Sequence, residues 1–181
     1  LGLGQEFELP FQSQRYGTVP DSAWKMRKLK QKWTDADTLN ATIGQGFLQV
    51  SPFQLAVMAA RIASGRKLEP HIFPRGNNAA PPLSFPEAHL ALVREGMNLV
   101  VNGAGTAVRS RLPLEGVQMA GKTGTAQVRK IEGAQRGQSG AWKYRDHGLF
   151  VCFAPVEQPR YAAAVVIEHG LGGARAAAPV A

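Results

Sequence analysis

The sequence contains a single cysteine, Cys152, among its 181 residues. One cysteine excludes a disulfide framework within the chain and a zinc site built from several cysteines. Because Cys152 lies in the apolar run 149–154, we interpret it as a small buried hydrophobic residue. No apolar run reaches the roughly 20 residues that a membrane-spanning helix needs. The histidines show no ligand spacing, so the sequence predicts no metal, and no other cofactor is expected.

The chain is long enough for one domain with a sizeable core, and its composition is that of a globular protein. Its formal net charge is +8, and part of the excess lies in the basic segment between Trp24 and Trp33. Basic residues interleaved with aromatic ones could bind nucleic acid. We favour instead a solvated surface element whose tryptophans pack inward, and we expect no nucleic-acid partner.

A helix is predicted to begin after Ser51, where three signals agree. Ser51 is a favourable N-cap, Pro52 suits the first helical position, and Gln54 completes a capping box. The apolar residues that follow predict a buried helix, which ends at Gly65 because glycine favours the left-handed C-terminal position.

A second helix is predicted from Ser84, with Glu87 completing its capping box. Apolar residues then recur at three- and four-residue spacing and give the helix one core face: Leu90, Val93, Met97, Val100 and Val101. The pair Asn102-Gly103 ends this helix. Residues 70–82 contain four prolines and must connect the two helices.

The hydrophobic period changes to that of strands from residue 117 onward. Three strands are predicted: 117–128, 149–156 and 161–168. The segment 155–159 is short enough for an antiparallel hairpin, and the polar segment 129–147 is predicted to be an exposed loop.

These elements predict an α+β fold, an antiparallel sheet flanked by helices, present as a partial domain. We divide the chain into four parts: a loop-rich lead-in at 1–46, a helical part at 47–111, a sheet part at 112–170, and the start of a C-terminal element at 171–181. Since the first residue is not Met and the chain stops within an alanine-rich run, we expect a fragment of a longer protein.

The stretch Gly116-Val-Gln-Met-Ala-Gly-Lys-Thr-Gly-Thr-Ala-Gln-Val128 has two interpretations. Its first eight residues match the phosphate-binding loop G-x-x-x-x-G-K-[ST]. Its core, Lys122-Thr123-Gly124, matches the K-T-G element of serine acyl-transfer enzymes. A phosphate loop needs a buried strand before it and a helix after it, whereas Pro113 precedes the stretch and no helical periodicity follows. We therefore favour a strand.

A strand gives each of these residues a physical role at a sheet edge. Lys122 supplies a positive charge, Gly124 removes side-chain bulk where a ligand must come close, and the hydroxyls of Thr123 and Thr125 can bond a carboxylate. The sequence therefore predicts a strand edge that recognises a carboxylate.

Several motifs in the same order resemble the transpeptidase domain of class B penicillin-binding proteins, most closely those of the elongation type. The similar segments cover nearly the whole chain: Gly17-Thr-Val-Pro-Asp-Ser-Ala-Trp-Lys25, Ile43-Gly-Gln-Gly46, Val50-Ser-Pro-Phe-Gln-Leu-Ala56, Asn102-Gly-Ala-Gly-Thr-Ala107, Gly121-Lys-Thr-Gly-Thr-Ala-Gln127, Asp146-His-Gly-Leu-Phe150 and Phe153-Ala-Pro155. The chain corresponds to the second half of that domain.

This resemblance implies a D,D-transpeptidase that cross-links peptidoglycan stem peptides and is acylated by β-lactams. Lys122, Thr123 and Gly124 would be its third active-site motif. Thr125 would hold the substrate carboxylate with its hydroxyl and offer its N–H to the oxyanion hole. The resemblance also implies a membrane-anchored parent protein on the periplasmic face of the bacterial inner membrane, with cell-wall elongation proteins as partners.

The chain departs from a complete enzyme in its other two motifs. S-x-x-K occurs at Ser22-Ala-Trp-Lys25 and Ser64-Gly-Arg-Lys67, but neither context suits a nucleophile, and S-x-N is absent. We therefore expect the nucleophile to lie outside this chain and the fragment to be inactive and prone to self-association. The alternatives are a non-catalytic interaction module and a phosphate-loop nucleotide-binding protein.

Overall fold

The computed structural model of the protein describes residues 1–10, 14–73, 80–128 and 141–181. These residues form four α-helices and a three-stranded antiparallel sheet: α1 (Ser22–Leu29), α2 (Asp35–Thr42), α3 (Pro52–Ser64), α4 (Glu87–Asn102), β1 (Ala120–Ala126), β2 (His147–Ala154) and β3 (Tyr161–Ile167). The predicted α+β class, an antiparallel sheet flanked by helices, is confirmed. Among the described residues, no helix is both long and apolar enough to cross a bilayer.

The sheet has the order β1-β2-β3, so the most apolar strand lies in the middle. Successive side chains of a strand point to opposite faces. Phe150 and Cys152 of β2 therefore enter one core, and Val151 and Phe153 enter the other. Because β2 is buried on both faces, its sequence is a continuous hydrophobic run. The predicted hairpin is confirmed, since β2 and β3 pair antiparallel.

Helices cover one face of the sheet and short helical turns cover the other. Helix α3 packs on β2 and β3, and α4 packs on β1. The residues that fill this layer are Ala59, Ile62, Ala63, Met97, Ala120, Val151 and Phe153. On the opposite face, a π-helical turn (Gly173–Ala177) and a 3-10 turn (Ala178–Val180) contact the sheet.

Both predicted ends of α3 are confirmed. The Ser51 hydroxyl accepts a hydrogen bond from the Gln54 N–H, and the Gln54 side chain accepts one from the Ser51 N–H. Gly65 ends the helix with φ 67°. The buried Gln54 amide also donates to the carbonyls of Gln5 and Tyr16, which ties the first residues of the chain to the helix.

The predicted start of α4 is wrong. Ser84 is not the N-cap; Pro86 is, and it makes no side-chain cap. A cap at Ser84 would place Phe85 in the helical region directly before a proline, where the proline ring disfavours that conformation. Within the predicted core face Leu90, Met97 and Val101 are buried, whereas Val93 is 45% exposed.

The lead-in contains two helices, α1 and α2, that the sequence did not locate. Lys25, which the sequence grouped with solvated basic residues, is only 5% exposed and forms an ion pair with Asp37 of α2. Hydrogen bonds from Lys25 and then from Thr34 lower the pKa of the Asp37 carboxyl to about 2. Trp24 packs against Phe47 with ring centroids 5.4 Å apart. This ion pair and ring contact join the two short helices to the loop that leads into α3.

Candidate functional site

The residues Lys122 to Thr125 lie in the middle of β1, at one edge of the sheet. Strand β1 pairs with β2 in the register Lys122 to Val151 and Thr125 to Gly148. No other strand of the described part of the chain pairs with β1. The predicted edge strand is therefore confirmed, and no strand of the described residues covers its far edge.

Two hydrogen bonds show which backbone groups face this free edge. The Thr123 carbonyl accepts a bond of 2.7 Å from Lys122 Nζ, and the Thr125 carbonyl accepts one of 3.1 Å from Gln45 Nε2. In an antiparallel strand the N–H and C=O of one residue point to the same side. The N–H groups of Thr123 and Thr125 therefore also face the free edge.

The side chain of Lys122 is exposed and lies on the helix-covered face of the strand. It forms one wall of an apolar groove of about 410 Å³. The other walls come from α3, α4 and β2: Met58, Ala59, Ile62, Val93, Gly96, Met97, Val100 and Val151. The ammonium group thus stands at the junction of an apolar groove and the free strand edge.

The hydroxyl of Thr123 meets a second hydroxyl from the turn after α4. Its Oγ1 lies 2.8 Å from Oγ1 of Thr106. A Cβ on Gly105 would lie 2.3 Å from Cα of Val100, so the tight turn that delivers Thr106 requires glycine. Sequence reasoning did not assign Thr106 to the site, although its N-x-x-G-T-A motif was visible.

The glycines of this strand have different surroundings. A Cβ on Gly121 would lie 2.3 Å from the ring of Phe150, so the packing of the chain itself requires glycine there. A Cβ on Gly124 would meet only Cβ of Leu149, at 3.4 Å. That is an ordinary contact, so the described residues set no steric demand for Gly124. The role of Gly124 in admitting a ligand stays a prediction.

The opposite face of the strand is supported by the π-helical turn. A Cβ on Gly173 would lie 2.0 Å from the carbonyl oxygen of Leu149 and 2.7 Å from that of Gly124. The neighbouring Gly172 has φ −170° and no atom within 4 Å of such a Cβ. Gly173 therefore packs closely against the backbone of Gly124, and this packing sets the distance between the strand and the turn.

The geometry does not support a phosphate-binding loop. Lys122 and Thr123 lie within a strand, not at the N-terminus of a helix, and Gly121 is a buried residue of the same strand that packs against Phe150. Gly116 adopts a left-handed turn with φ 72° four residues before β1. Through residue 128, the last described residue after this strand, no helix begins that could offer its N–H groups to phosphates.

Neither S-x-x-K sequence has the arrangement of a nucleophile with its lysine. Ser22 and Lys25 are one turn apart on α1, but the Lys25 amine is bonded to Asp37. Ser64 is the last residue of α3, and its hydroxyl donates to the Ala60 carbonyl. These contacts agree with the expectation that neither serine reacts.

His147 makes a structural hydrogen bond at the far end of the sheet. It is the first residue of β2, and its Nδ1 accepts a bond of 2.9 Å from the His169 N–H. The His169 ring packs against Trp142, with centroids 4.2 Å apart. In the described ranges, no three histidine, cysteine, aspartate or glutamate side chains cluster as a metal site would require.

Comparison with known proteins gives consistent matches along the chain. The sequence model of the penicillin binding protein transpeptidase domain matches residues 1–181. A peptidoglycan D,D-transpeptidase MrdA from Acinetobacter baumannii is 36% identical over 193 residues, which cover 98% of this chain and 28% of the relative.

Two solved structures share the fold. The crystal structure of Pseudomonas aeruginosa PBP2 in complex with WCK 5153 has a TM-score of 0.80 at 35% identity, covering 99% of this chain and 39% of that one. The complex between penicillin-binding protein PBP2 and MreC from Helicobacter pylori has a TM-score of 0.82 at 32% identity. This match covers 96% of the present chain and 31% of the H. pylori chain. By the sequence match above, the chain spans less than a third of the length of the A. baumannii relative.

Proposed function

The chain belongs to the penicillin-binding protein transpeptidase domain family, and we propose that it forms the carboxylate-binding wall of the active site of a peptidoglycan D,D-transpeptidase. The similarity to proteins named D,D-transpeptidase and PBP2 supports this activity for the full-length protein. The observation that carries the proposal is the free edge of β1, where a lysine, two threonines and unpaired N–H groups occur together.

The substrate at this edge is a peptide that ends in a carboxylate. Lys122 provides the positive charge, and the hydroxyls of Thr123 and Thr125 donate hydrogen bonds to the carboxylate oxygens. The peptide extends alongside β1 and meets the outward N–H groups of Thr123 and Thr125, much as a peptide does when it adds to a sheet edge. Gly124 leaves room for its backbone to approach.

The chemistry is acyl transfer through a serine supplied by another part of the full-length protein. The serine oxygen forms a bond to the scissile carbonyl carbon, and the bond to the terminal D-amino acid breaks, with the proton of the serine passing to the leaving amine. An amine of a second stem peptide then takes the acyl group and returns the proton to the serine. A β-lactam traps the first step, because its opened ring stays attached.

In this reaction the Thr125 N–H stabilises the negative charge that develops on the carbonyl oxygen. A single donor of this kind is worth about 3 kcal/mol of transition-state stabilisation. The donor needs no reorganisation at the moment of reaction, because it is held by a strand that pairs with β2 along its other edge.

The same family assignment supports a proposal for the cellular setting. We propose that the full-length protein works at the periplasmic face of the inner membrane and assembles with cell-wall elongation proteins. The H. pylori relative was solved in complex with MreC, which supports a partner of that kind.

Labelling with a fluorescent penicillin tests this function in the full-length protein. Wild type is expected to become covalently labelled, and Lys122→Ala is expected to label at least 10-fold more slowly, because the carboxylate loses its charged partner (each 1.4 kcal/mol is about tenfold). Lys28→Ala is the matched control, since it removes one exposed lysine from α1. Wild type that takes up no label would favour the non-catalytic module, and undiminished labelling of Lys122→Ala would remove the role assigned to that lysine.

A further inference from the structure

The loop Gly44-Gln45-Gly46 connects α2 to the segment that leads into α3. Both glycines are left-handed, with φ 74° and 77°. Between them, Gln45 extends its side chain to the Thr125 carbonyl, eighty residues further along the chain, with Nε2 3.1 Å from the oxygen. The loop therefore contacts the strand at the residue that the proposed function uses as an oxyanion donor.

The backbone of this loop is held in place before its side chain reaches the strand. The Gln45 N–H donates to the Asn40 carbonyl at 2.8 Å, and the Gly44 N–H donates to the Ala41 carbonyl at 3.0 Å. Both bonds close the end of α2. Helix α2 is in turn joined to α1 by the ion pair between Lys25 and Asp37. Gln45 thus projects from a supported base rather than from a free loop.

Thr125 has few other restraints on that side. It is exposed, it lies one residue before the end of β1, and its carbonyl faces the free edge. In the described residues no strand pairs with this edge, so the Gln45 amide takes the place of a ladder partner. The Thr125 N–H points to the same edge. Any twist of the strand end therefore moves this N–H and the Thr125 hydroxyl together.

We propose that Gln45 is a positioning residue: its amide holds the Thr125 carbonyl and thereby sets the direction of the Thr125 N–H toward the reacting carbonyl. This inference rests on the proposed function. The proposal makes the loop 44–46 part of the functional site, although the loop itself contacts no reacting atom. Because misplacement of a catalytic group by about 1 Å can cost on the order of 100-fold in rate, one hydrogen bond at this position has a large effect.

The contribution of this bond to stability is small by comparison. Gln45 is only half-buried, so water can replace its amide at the Thr125 carbonyl. The inference therefore predicts a loss of rate without a matching loss of stability, a separation that a merely structural glutamine would not produce.

The test measures acylation of the full-length protein by a fluorescent penicillin over a range of concentrations. Gln45→Ala is expected to lower the acylation rate constant at saturation about 3- to 30-fold, with little change in the half-saturating concentration or the unfolding temperature. Gln49→Ala is the matched control, because Gln49 is exposed and pairs with Thr18 through its backbone, which alanine keeps. This control is expected to react like wild type.

Gln45→Glu keeps the shape of the side chain but, when ionised, has no proton to donate. At pH 7.5 it is expected to react as slowly as Gln45→Ala. At pH 4.5, near the usual glutamate pKa of about 4.3, a large fraction of it regains an O–H donor, and its rate relative to wild type is expected to rise.

The outcomes separate this inference from the proposed function. If wild type is acylated and Gln45→Ala reacts at the same rate, the positioning role is wrong while the proposed function stands. The positioning role is also overturned if Gln45→Ala loses rate together with a lower unfolding temperature and a higher half-saturating concentration. It is likewise overturned if the rate of Gln45→Glu relative to wild type does not change between pH 7.5 and pH 4.5. Wild type that is never acylated overturns the proposed function and this inference together.

Discussion

Replacing Gly173 by alanine should displace the site strand from the face of the sheet opposite to Lys122. The added Cβ would lie 2.0 Å from the Leu149 carbonyl oxygen, 2.7 Å from the Gly124 oxygen and 2.9 Å from the Gly124 nitrogen. Carbon and oxygen normally approach no closer than about 3.3 Å. The turn and the strands must therefore separate by roughly 1 Å. Gly173 does not have a positive φ, so the cost is steric and not conformational.

This separation has two measurable consequences. Overpacking of a tight contact costs about 1–3 kcal/mol of stability. A shift of about 1 Å at Gly124 also moves the neighbouring threonines relative to the substrate, so penicillin acylation of the full-length protein should fall by roughly 10- to 100-fold. Thermal unfolding and the rate of fluorescent penicillin labelling measure the two effects.

The adjacent Gly172 provides the control. Its backbone is extended and a Cβ there meets nothing within 4 Å, so Gly172→Ala should resemble wild type in both assays. If the two alanine variants label equally fast and unfold at the same temperature, contact between Gly173 and Gly124 does not hold the strand in place.

Two further predictions concern groups away from the edge of β1. The Asp37 carboxyl has its pKa lowered to about 2 by Lys25 and Thr34, so its stabilising effect is complete above its ordinary pKa of 3.8 and is lost as pH falls through about 2. Unfolding temperatures should therefore differ between wild type and Asp37→Asn at pH 5 and converge toward pH 2; a constant difference would contradict the ion-pair account. Burial raises the pKa of the Cys152 thiol, so peptide mapping after alkylation at pH 8 should find Cys152 modified in unfolded but not in folded protein. Rapid alkylation of the folded protein would contradict its burial.

Features that depend on neighbours in sequence were predictable. The capping box at Ser51 and the left-handed Gly65 are local, so both ends of α3 were correct. The start of α4 was predicted two residues too early because the capping pattern at Ser84 was given more weight than Pro86. The continuous apolar run predicted the strand β2, although the first two residues of the strand, His147 and Gly148, do not belong to that run.

Features that depend on distant neighbours were not predictable. In the sequence Lys25 is one of several basic residues, and only folding brings its buried side chain to Asp37. Likewise, no sequence pattern reports that the side chain of Gln45 reaches the strand. The flanks of the K-T-G segment were enough to predict a strand. The contacts that hold this strand, from Gln45 to Thr125 and from Gly173 to Gly124, arise only from tertiary structure.

The direction of the backbone groups along β1 has a consequence for hydrogen exchange. The N–H groups of Lys122 and Gly124 point toward β2, while those of Thr123 and Thr125 point to the free edge. Amides paired within a sheet exchange with solvent slowly, and unpaired ones exchange quickly. Slow and fast amides therefore alternate through the four residues of the site. A ligand that adds along the edge would slow exchange only at the amides of Thr123 and Thr125. The amides of Lys122 and Gly124 would be unaffected and would serve as an internal reference for ligand binding.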